Sequence, residues 1–259
     1  MKNFGLIGTN IQSSLSPDIH MQISSLIGID YSYKIIDTKD SKPNLKEIIL
    51  SNNLSGLNVT IPYKSIMIDY IDVLEGNTNV IGATNCIRVD QNSIFATNTD
   101  TIGFEKMLSL NNIDIAGNNF IVLGSGGAAS AVTHALAKNN AISITIMCRN
   151  NNGNSIKSKI GDFFEYKNLY VNKKAIPQNS ILINCTPIVP YPKDILLGCK
   201  DKFSKIIDIN YGQKGNYNNI EAYDGLDMLI YQAIYSVNYW FGHSIHNKVN
   251  INIIKKNIC

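Results

Sequence analysis

Short apolar runs alternate with helix-period stretches along the whole chain. Residues 4–8 form an apolar run closed by a glycine, which reads as a strand. After a polar loop, Ser16-Pro17-Asp18 opens a helix expected to reach about Gly28, with Ser as N-cap, Pro in the first turn and Asp at the positive helix end. The aromatic and β-branched run 31–36 predicts a strand, 43–50 a helix, and 56–60 a strand closed by Pro62. The segment 85–98 reads as two strands joined by a polar turn at 90–93, and Asn98-Thr99-Asp100 caps a helix through about Leu110. Residues 111–119 are polar and loop-like. From Phe120 the alternation restarts: a strand at 120–123, a glycine-rich turn, a small-residue helix at 126–138, and strand candidates at 142–148, 180–184 and 205–209. That spacing leaves room for crossovers and implies a mostly parallel sheet. Residues 226–242 and 245–254 carry helix-period apolar positions, so two C-terminal helices are expected to return to the first domain.

The expected architecture is α/β with two domains: 1–101 completed by 227–259, and 102–226. A length of 259 residues supports two modest cores. Apolar residues at 44% and charged ones at 17% place the chain well inside the globular range. Twenty-three Lys and Arg against twenty Asp and Glu leave +3, without a basic block long enough to track a phosphate backbone, which argues against nucleic acid as partner. The five cysteines, Cys86, Cys148, Cys185, Cys199 and Cys259, form no C-x-x-C pair and read as reduced thiols of a cytoplasmic protein. No run reaches the ~20 apolar residues of a membrane span.

The turn Gly124-Ser125-Gly126-Gly127-Ala128-Ala129 follows a strand and opens a helix, matching G-x-G-x-x-G/A. Glycines let a backbone approach a pyrophosphate, and the helix N–H groups favour its charge. An ordinary tight β–α turn carries the same letters; the strand before and helix after favour dinucleotide binding in a Rossmann-like, doubly wound domain. About 20 residues on, where an NAD site places Asp or Glu, stands Cys148-Arg149-Asn150. A guanidinium there offers a fork to a 2′-phosphate, which favours NADP over a reading of Arg149 as a solvated surface residue. Lys157 and Lys159 add positive field nearby.

A second constellation lies in the first domain. Residues 56–64, G-L-N-V-T-I-P-Y-K, end a strand in a proline turn followed by Lys64. With Ser14, Ser16, Asn85 and Asn98-Thr99-Asp100 they supply hydroxyls, amides, one cation and one carboxylate, a set suited to a polyhydroxylated small molecule. Lys64 and Asp100 read either as a coupled acid–base pair or as a surface ion pair. Burial works against the ammonium and the carboxylate works for it, so the proton is assigned to neither. His243 and His246 stand at i, i+3, and with no third ligand in view no metal site is expected. His20 and His134 read as packing or capping residues, and Tyr231, Tyr235, Tyr239, Trp240 and Phe241 as core or domain seam.

The chain resembles the shikimate dehydrogenase family over nearly its whole length. The resemblance rests on S-S-L-S-P at 13–17, G-L-N-V-T-I-P-Y-K at 56–64, G-A-T-N at 82–85, N-T-D-T-I-G-F at 98–104, V-L-G-S-G-G-A-A at 122–129, I-N-C-T-P at 183–187, D-I-N-Y at 208–211 and G-L-D-M-L-I-Y-Q-A at 225–233. It implies reversible NADPH-dependent reduction of 3-dehydroshikimate to shikimate, in the route to chorismate and the aromatic amino acids. It further implies that Ser14, Ser16, Thr60, Lys64, Asn85, Asp100, Tyr211 and Gln232 meet the substrate, with Lys64 and Asp100 as the catalytic pair. Gly124, Ser125, Gly126, Gly127 and Ala128 would meet the pyrophosphate, Arg149 the 2′-phosphate, and Thr186, Gly225 and Met228 the nicotinamide. A site in the cleft between the domains, and a monomer or homodimer, are expected.

The sequence departs from the family at Cys148-Arg149-Asn150, usually Asn-Arg-Thr, at Gly153, often basic, at Tyr211-Gly-Gln, usually Tyr-x-Pro, and at Pro187, where a small residue is common. Two other readings stand beside the first: an NAD-using quinate/shikimate dehydrogenase, which Arg149 disfavours, and a catalytically silent ligand sensor of the same fold, which Lys64 with Asp100 disfavours.

Overall fold

A computed structural model of the chain describes residues 1–91, 93–149, 152–172, 174–188, 199–212, 220–242 and 244–258. It separates into two compact units, Met1–Gly103 with Leu229–Cys259, and Phe104–Met228. In the first unit β1 (Lys2–Gly8), α1 (Ser16–Ile27), β2 (Tyr31–Asp37), α2 (Leu45–Ser51) and β3 (Gly56–Val59) follow in order. Then come β4 (Val73–Leu74), α3 (Thr78–Ile81), β5 (Cys86–Asp90) and β6 (Ser93–Thr97). The strands pair in the order β2-β1-β3-β5-β6-β4, with β2, β1 and β3 parallel and β5 antiparallel to both β3 and β6. This mixed pairing puts the C-terminal ends of β1, β3 and β6 and the start of β5 at one end of the sheet, where Ser14, Thr60, Lys64, Asn85 and Asp100 follow or precede them. Ile7, Leu57, Val59, Tyr63, Met67 and Ile87 form the core against α2.

α4 (Asp100–Leu110) starts in the first unit and ends in the second, where β7 (Asn119–Leu123), α5 (Gly127–Lys138), β8 (Ser143–Met147), α6 (Gly153–Phe163), β9 (Leu169–Val171), β10 (Ser180–Asn184), β11 (Phe203–Asp208) and β12 (Glu221–Asp224) follow. The sheet runs β12-β11-β10-β7-β8-β9 with every pairing parallel. The order reverses between β7 and β10, which is the doubly wound topology and its switch point. The strands read as continuous apolar runs because both faces are covered; Ser180–Asn184 is buried at every position.

The chain then forms α7 (Leu226–Phe241) and α8 (Ile251–Ile258). Trp240 of α7 stacks on Phe4 of β1 at 4.1 Å and donates its indole N–H to Ile87 O at 2.9 Å, so α7 is fixed to the first sheet at its C-terminal end.

Two local expectations are corrected. Ser16 is the first residue of α1, not its N-cap: Leu15 holds that position without a side-chain cap bond. The Ser16 N–H donates instead to Ser14 Oγ at 3.2 Å, so the upstream serine satisfies it. The last helix begins at Ile251, not 245. Ile245 is buried in the preceding turn with its N–H on Asn238 Oδ1 (2.7 Å), and Asn250 accepts the Asn252 N–H (3.0 Å) to start the helix.

Candidate active site

Lys64 is presented by a turn that Tyr63 anchors. The Tyr63 ring is buried and its hydroxyl reaches Thr9 Oγ1, Thr38 O and Asp40 O at 2.9, 3.0 and 2.6 Å, while the Tyr63 N–H donates to Thr60 O at 2.9 Å. With Tyr63 held inward, Lys64 lies beside the turn at the start of α4. Its Nζ is 2.5 Å from Asp100 Oδ2, and the two side chains are 15% and 5% exposed. Ion pairs this sheltered are screened far less than surface pairs, which removes the reading of a solvated surface contact.

Asn85, at the start of β5, organises what surrounds the carboxylate. Its Oδ1 accepts the Thr99 N–H at 2.7 Å, which fixes the amide's orientation and turns Nδ2 toward Thr99 Oγ1 (2.9 Å), Asp100 Oδ1 (2.9 Å) and Gln232 Oε1 (3.2 Å). Two N–H bonds thus face three acceptors, so acceptor capacity is left over for a ligand hydroxyl. The structure therefore joins Lys64, Asp100, Asn85 and Gln232 directly. Ser14 and Ser16 touch each other through their hydroxyls at 3.2 Å, in the loop leaving β1, whose backbone is held by Asp37 accepting the Asn10 and Ile11 N–H groups. Thr60 leaves β3 beside them, its N–H on Ile7 O at 2.9 Å.

Behind this group, Asn58 and Thr99 of the first-domain constellation are joined by Tyr33 and Ser236, which the sequence did not single out for the site. Asn58 donates to Asn85 O (3.0 Å) and Ser236 Oγ (2.8 Å) and accepts from Tyr33 (3.0 Å), and Ser236 also contacts Thr99 Oγ1 at 3.2 Å. The signal for Ser236 was its position four residues after Gln232, on the same face of a helix.

In the second unit the glycine turn sits at the switch point. Gly124 has φ +107°, and a Cβ there would lie 3.3 Å from both Cys185 O and Thr186 Cγ2. At Gly126, the extended residue before α5, a Cβ would point into open space, and the first intrahelical bond of α5 runs from Ser130 N–H back to Gly126 O. Ser125, Gly127 and Ala128 complete the turn, and the leading N–H groups of α5 lack intrahelical acceptors. A bare, open backbone with a helix N-terminus fits the pyrophosphate of a dinucleotide.

Thr186 follows β10 in a loop pinned by amides. Its N–H and hydroxyl donate to Asn184 Oδ1 at 3.1 and 2.7 Å, and its carbonyl accepts from Asn210 at 2.8 Å. Asn184 and Asn210 both also bond Asp208, a buried carboxylate at the end of β11. Tyr211 is half-buried in the loop after β11. Gly225, just before α7, packs so closely that a Cβ would lie 1.9 Å from Ile209 O; Met228 is buried one turn further on. Arg149 is exposed at the end of β8, with Asn150 outside the described residues. At Gly153 a Cβ would lie 3.1 Å from Ile146 and Val171, so this position packs against the sheet and extends no side chain toward Arg149. Lys157 and Lys159 are exposed on α6.

The remaining titratable groups are structural. His20 is buried and stacked on Tyr33 at 3.9 Å, and burial pushes its imidazole down to about 3. Burial and then Lys138 bring His134 down to about 4, and neither of its ring nitrogens has a hydrogen-bond partner among the described residues. Burial pushes the Cys86 thiol up to about 12. Cys86, Cys148, Cys185 and Cys199 form no disulfide; Cys259 lies outside the described residues, as does His243 of the histidine pair. Among the described residues no His, Cys, Asp or Glu cluster could hold a metal, and no helix is long and apolar enough to cross a membrane.

Residues 6–87 match the family described as shikimate dehydrogenase substrate binding domain. A protein of Clostridium perfringens (strain SM101 / Type A) named shikimate dehydrogenase (NADP(+)) is 32% identical over 271 residues, spanning 100% of this chain and 99% of that protein. One of the same name from Clostridium beijerinckii is 34% identical over 268 residues, covering 96% and 95%. The crystal structure of shikimate dehydrogenase 1 from Peptoclostridium difficile superposes with a TM-score of 0.84 at 26% identity, covering 100% of this chain and 97% of that one.

Proposed function

The chain belongs to the shikimate dehydrogenase family, and from that premise we propose that Lys64 and Asp100 carry its NADP-dependent interconversion of 3-dehydroshikimate and shikimate. The reaction is an oxidoreduction at a CH–OH group, in the route to chorismate and the aromatic amino acids. The observation that carries the residue assignment is the sheltered 2.5 Å contact between Lys64 Nζ and Asp100 Oδ2.

In the reducing direction a ketone oxygen gathers negative charge and takes up a proton. An ammonium within hydrogen-bond reach stabilises that charge and donates. Lys64 is the only cation in the described polar network, and Asp100 fixes where its Nζ points. Asn85 holds the other carboxylate oxygen, so Asp100 cannot rotate away without losing that bond. The free acceptor capacity at Gln232 and the hydroxyls of Ser14, Ser16 and Thr60 bind the ring hydroxyls and carboxylate, and Tyr211 is assigned to the substrate with them.

NADPH supplies the hydride when bound. The backbone of Gly124, Ser125, Gly126, Gly127 and Ala128 holds its pyrophosphate, Arg149 its 2′-phosphate, and Thr186, Gly225 and Met228 its nicotinamide. We further propose a monomer or homodimer working in the cytoplasm on a small molecule, with neither nucleic acid nor membrane as partner. The small net charge of +3 argues against nucleic acid.

Absorbance at the reduced-nicotinamide band, followed with shikimate and each oxidised cofactor, tests the reading. Turnover with NADP⁺ well above NAD⁺ is expected. Faster turnover with NAD⁺ supports the quinate/shikimate alternative, and binding without turnover supports the silent sensor.

A further inference from the structure

We propose that Ser236, one turn beyond Gln232 on α7, is a positioning residue for the Lys64–Asp100 pair; this rests on the reading of that pair as catalytic. Ser236 is wholly buried and has one proton. The Gln232 carbonyl, 2.9 Å away, can only accept, so that proton is committed to it. The Ser236 oxygen is left to accept, and two donors from other elements converge on it: Asn58 Nδ2 of β3 at 2.8 Å, and Thr99 Oγ1, before α4, at 3.2 Å, nearer than that hydroxyl's other acceptor, Asn85 Oδ1 at 3.3 Å. Having donated, Thr99 Oγ1 accepts from Asn85 Nδ2 at 2.9 Å. One hydrogen of Asn85 is thereby taken, and the other remains for Asp100 Oδ1 at 2.9 Å.

Donors therefore run one way, from Asn85 to Thr99 to Ser236 to the Gln232 carbonyl. A serine within a helix commonly bonds the carbonyl four residues back, and that contact alone would be local. What goes beyond it is the convergence on one oxygen of β3, which leads to Lys64, and of the turn that carries Asp100. Ser236 touches neither member of the pair, so it acts through Asn58, Thr99 and Asn85.

The test compares Ser236→Ala and Ser236→Cys, the second filling the same space with a weak hydrogen-bonding group. Both are expected to lower kcat about tenfold while the shikimate KM stays within about threefold. In both, NMR of the unliganded protein is expected to show faster solvent exchange of the Asn85 side-chain amide. If the serine variants fail to fold, Thr99→Val removes the next link and carries the same expectation. A lowered Tm with kcat and Asn85 exchange unchanged would make Ser236 a stability residue and overturn the proposal. So would a raised KM at full kcat, or parent-like behaviour of Ser236→Cys. Asn85 exchange is read without turnover, so the two failures separate. Faster exchange at full kcat overturns the proposal if Lys64→Ala is inactive, and the reading of the pair if Lys64→Ala is fully active.

Discussion

The two units build their sites from opposite materials. In the first the material is side chains: Lys64, Asp100, Asn85, Thr99 and Gln232 hold one another in a sheltered hydrogen-bonded network. In the second, the glycine turn offers backbone and open space, with Gly126 lacking any neighbour within 4 Å of where a Cβ would sit. The contrast follows ligand chemistry. A ring bearing several hydroxyls is told from its relatives by directional donors and acceptors, whereas a pyrophosphate needs concentrated N–H groups and room. The first site should therefore fail when side chains are cut back, and the second when atoms are added.

The largest effect is expected where an atom is added. Gly225→Ala places a Cβ 1.9 Å from the Ile209 carbonyl oxygen, and backbone on both sides cannot yield. It should cost about 3 kcal/mol or more, roughly 6–12 °C in Tm; an unchanged melting curve would break the comparison. Next is Arg149, the side chain proposed for the 2′-phosphate. Arg149→Ser should raise the NADPH KM about 10- to 100-fold, the worth of a charge-assisted bidentate bond, with NADH little affected. An equal rise for both cofactors would remove Arg149 from the 2′-phosphate.

Each unit also buries one neutral histidine. The folded-state values of about 3 for His20 and about 4 for His134 lie below the unfolded 6.5. Between those values the unfolded chain takes up protons that the folded one refuses. Stability is therefore full above about pH 6.5 and falls as pH drops toward 4, by up to about 1.4 kcal/mol per pH unit for each histidine. His134→Leu, which removes two ring nitrogens without a hydrogen-bond partner among the described residues, should match the parent at pH 7 and exceed it at pH 5. A Tm difference that stays constant with pH would contradict this. The smallest effect is expected from Ser14→Ala, about 0.5–1.5 kcal/mol of substrate binding, seen as a two- to tenfold rise in KM with Tm and kcat retained.

Much of this was legible in the sequence because the local signals agree with the fold. The parallel strands of the second unit are uninterrupted apolar runs, and the glycine turn is marked by a strand before it and a helix after. Short elements were not legible: β4 spans two residues and β12 four, with half-exposed side chains that leave no period to read. Ser16 misled because a serine before Pro-Asp has the form of an N-cap, and only the position of Ser14 reveals which hydroxyl serves the backbone. Lys64 and Asp100 could be named from their strand and turn context, but their contact spans 36 residues and depends on β5 lying between β3 and β6. Ser236 was hidden because its partners Asn58 and Thr99 come from elements more than 130 residues away.

The most direct test is the steady-state rate of Lys64→Ala with shikimate and NADP⁺ beside the parent protein. A fall in kcat of about 10²- to 10⁴-fold with the shikimate KM within several-fold is predicted. Full turnover with a greatly raised KM would make Lys64 a binding group and contradict its role as the proton-handling cation.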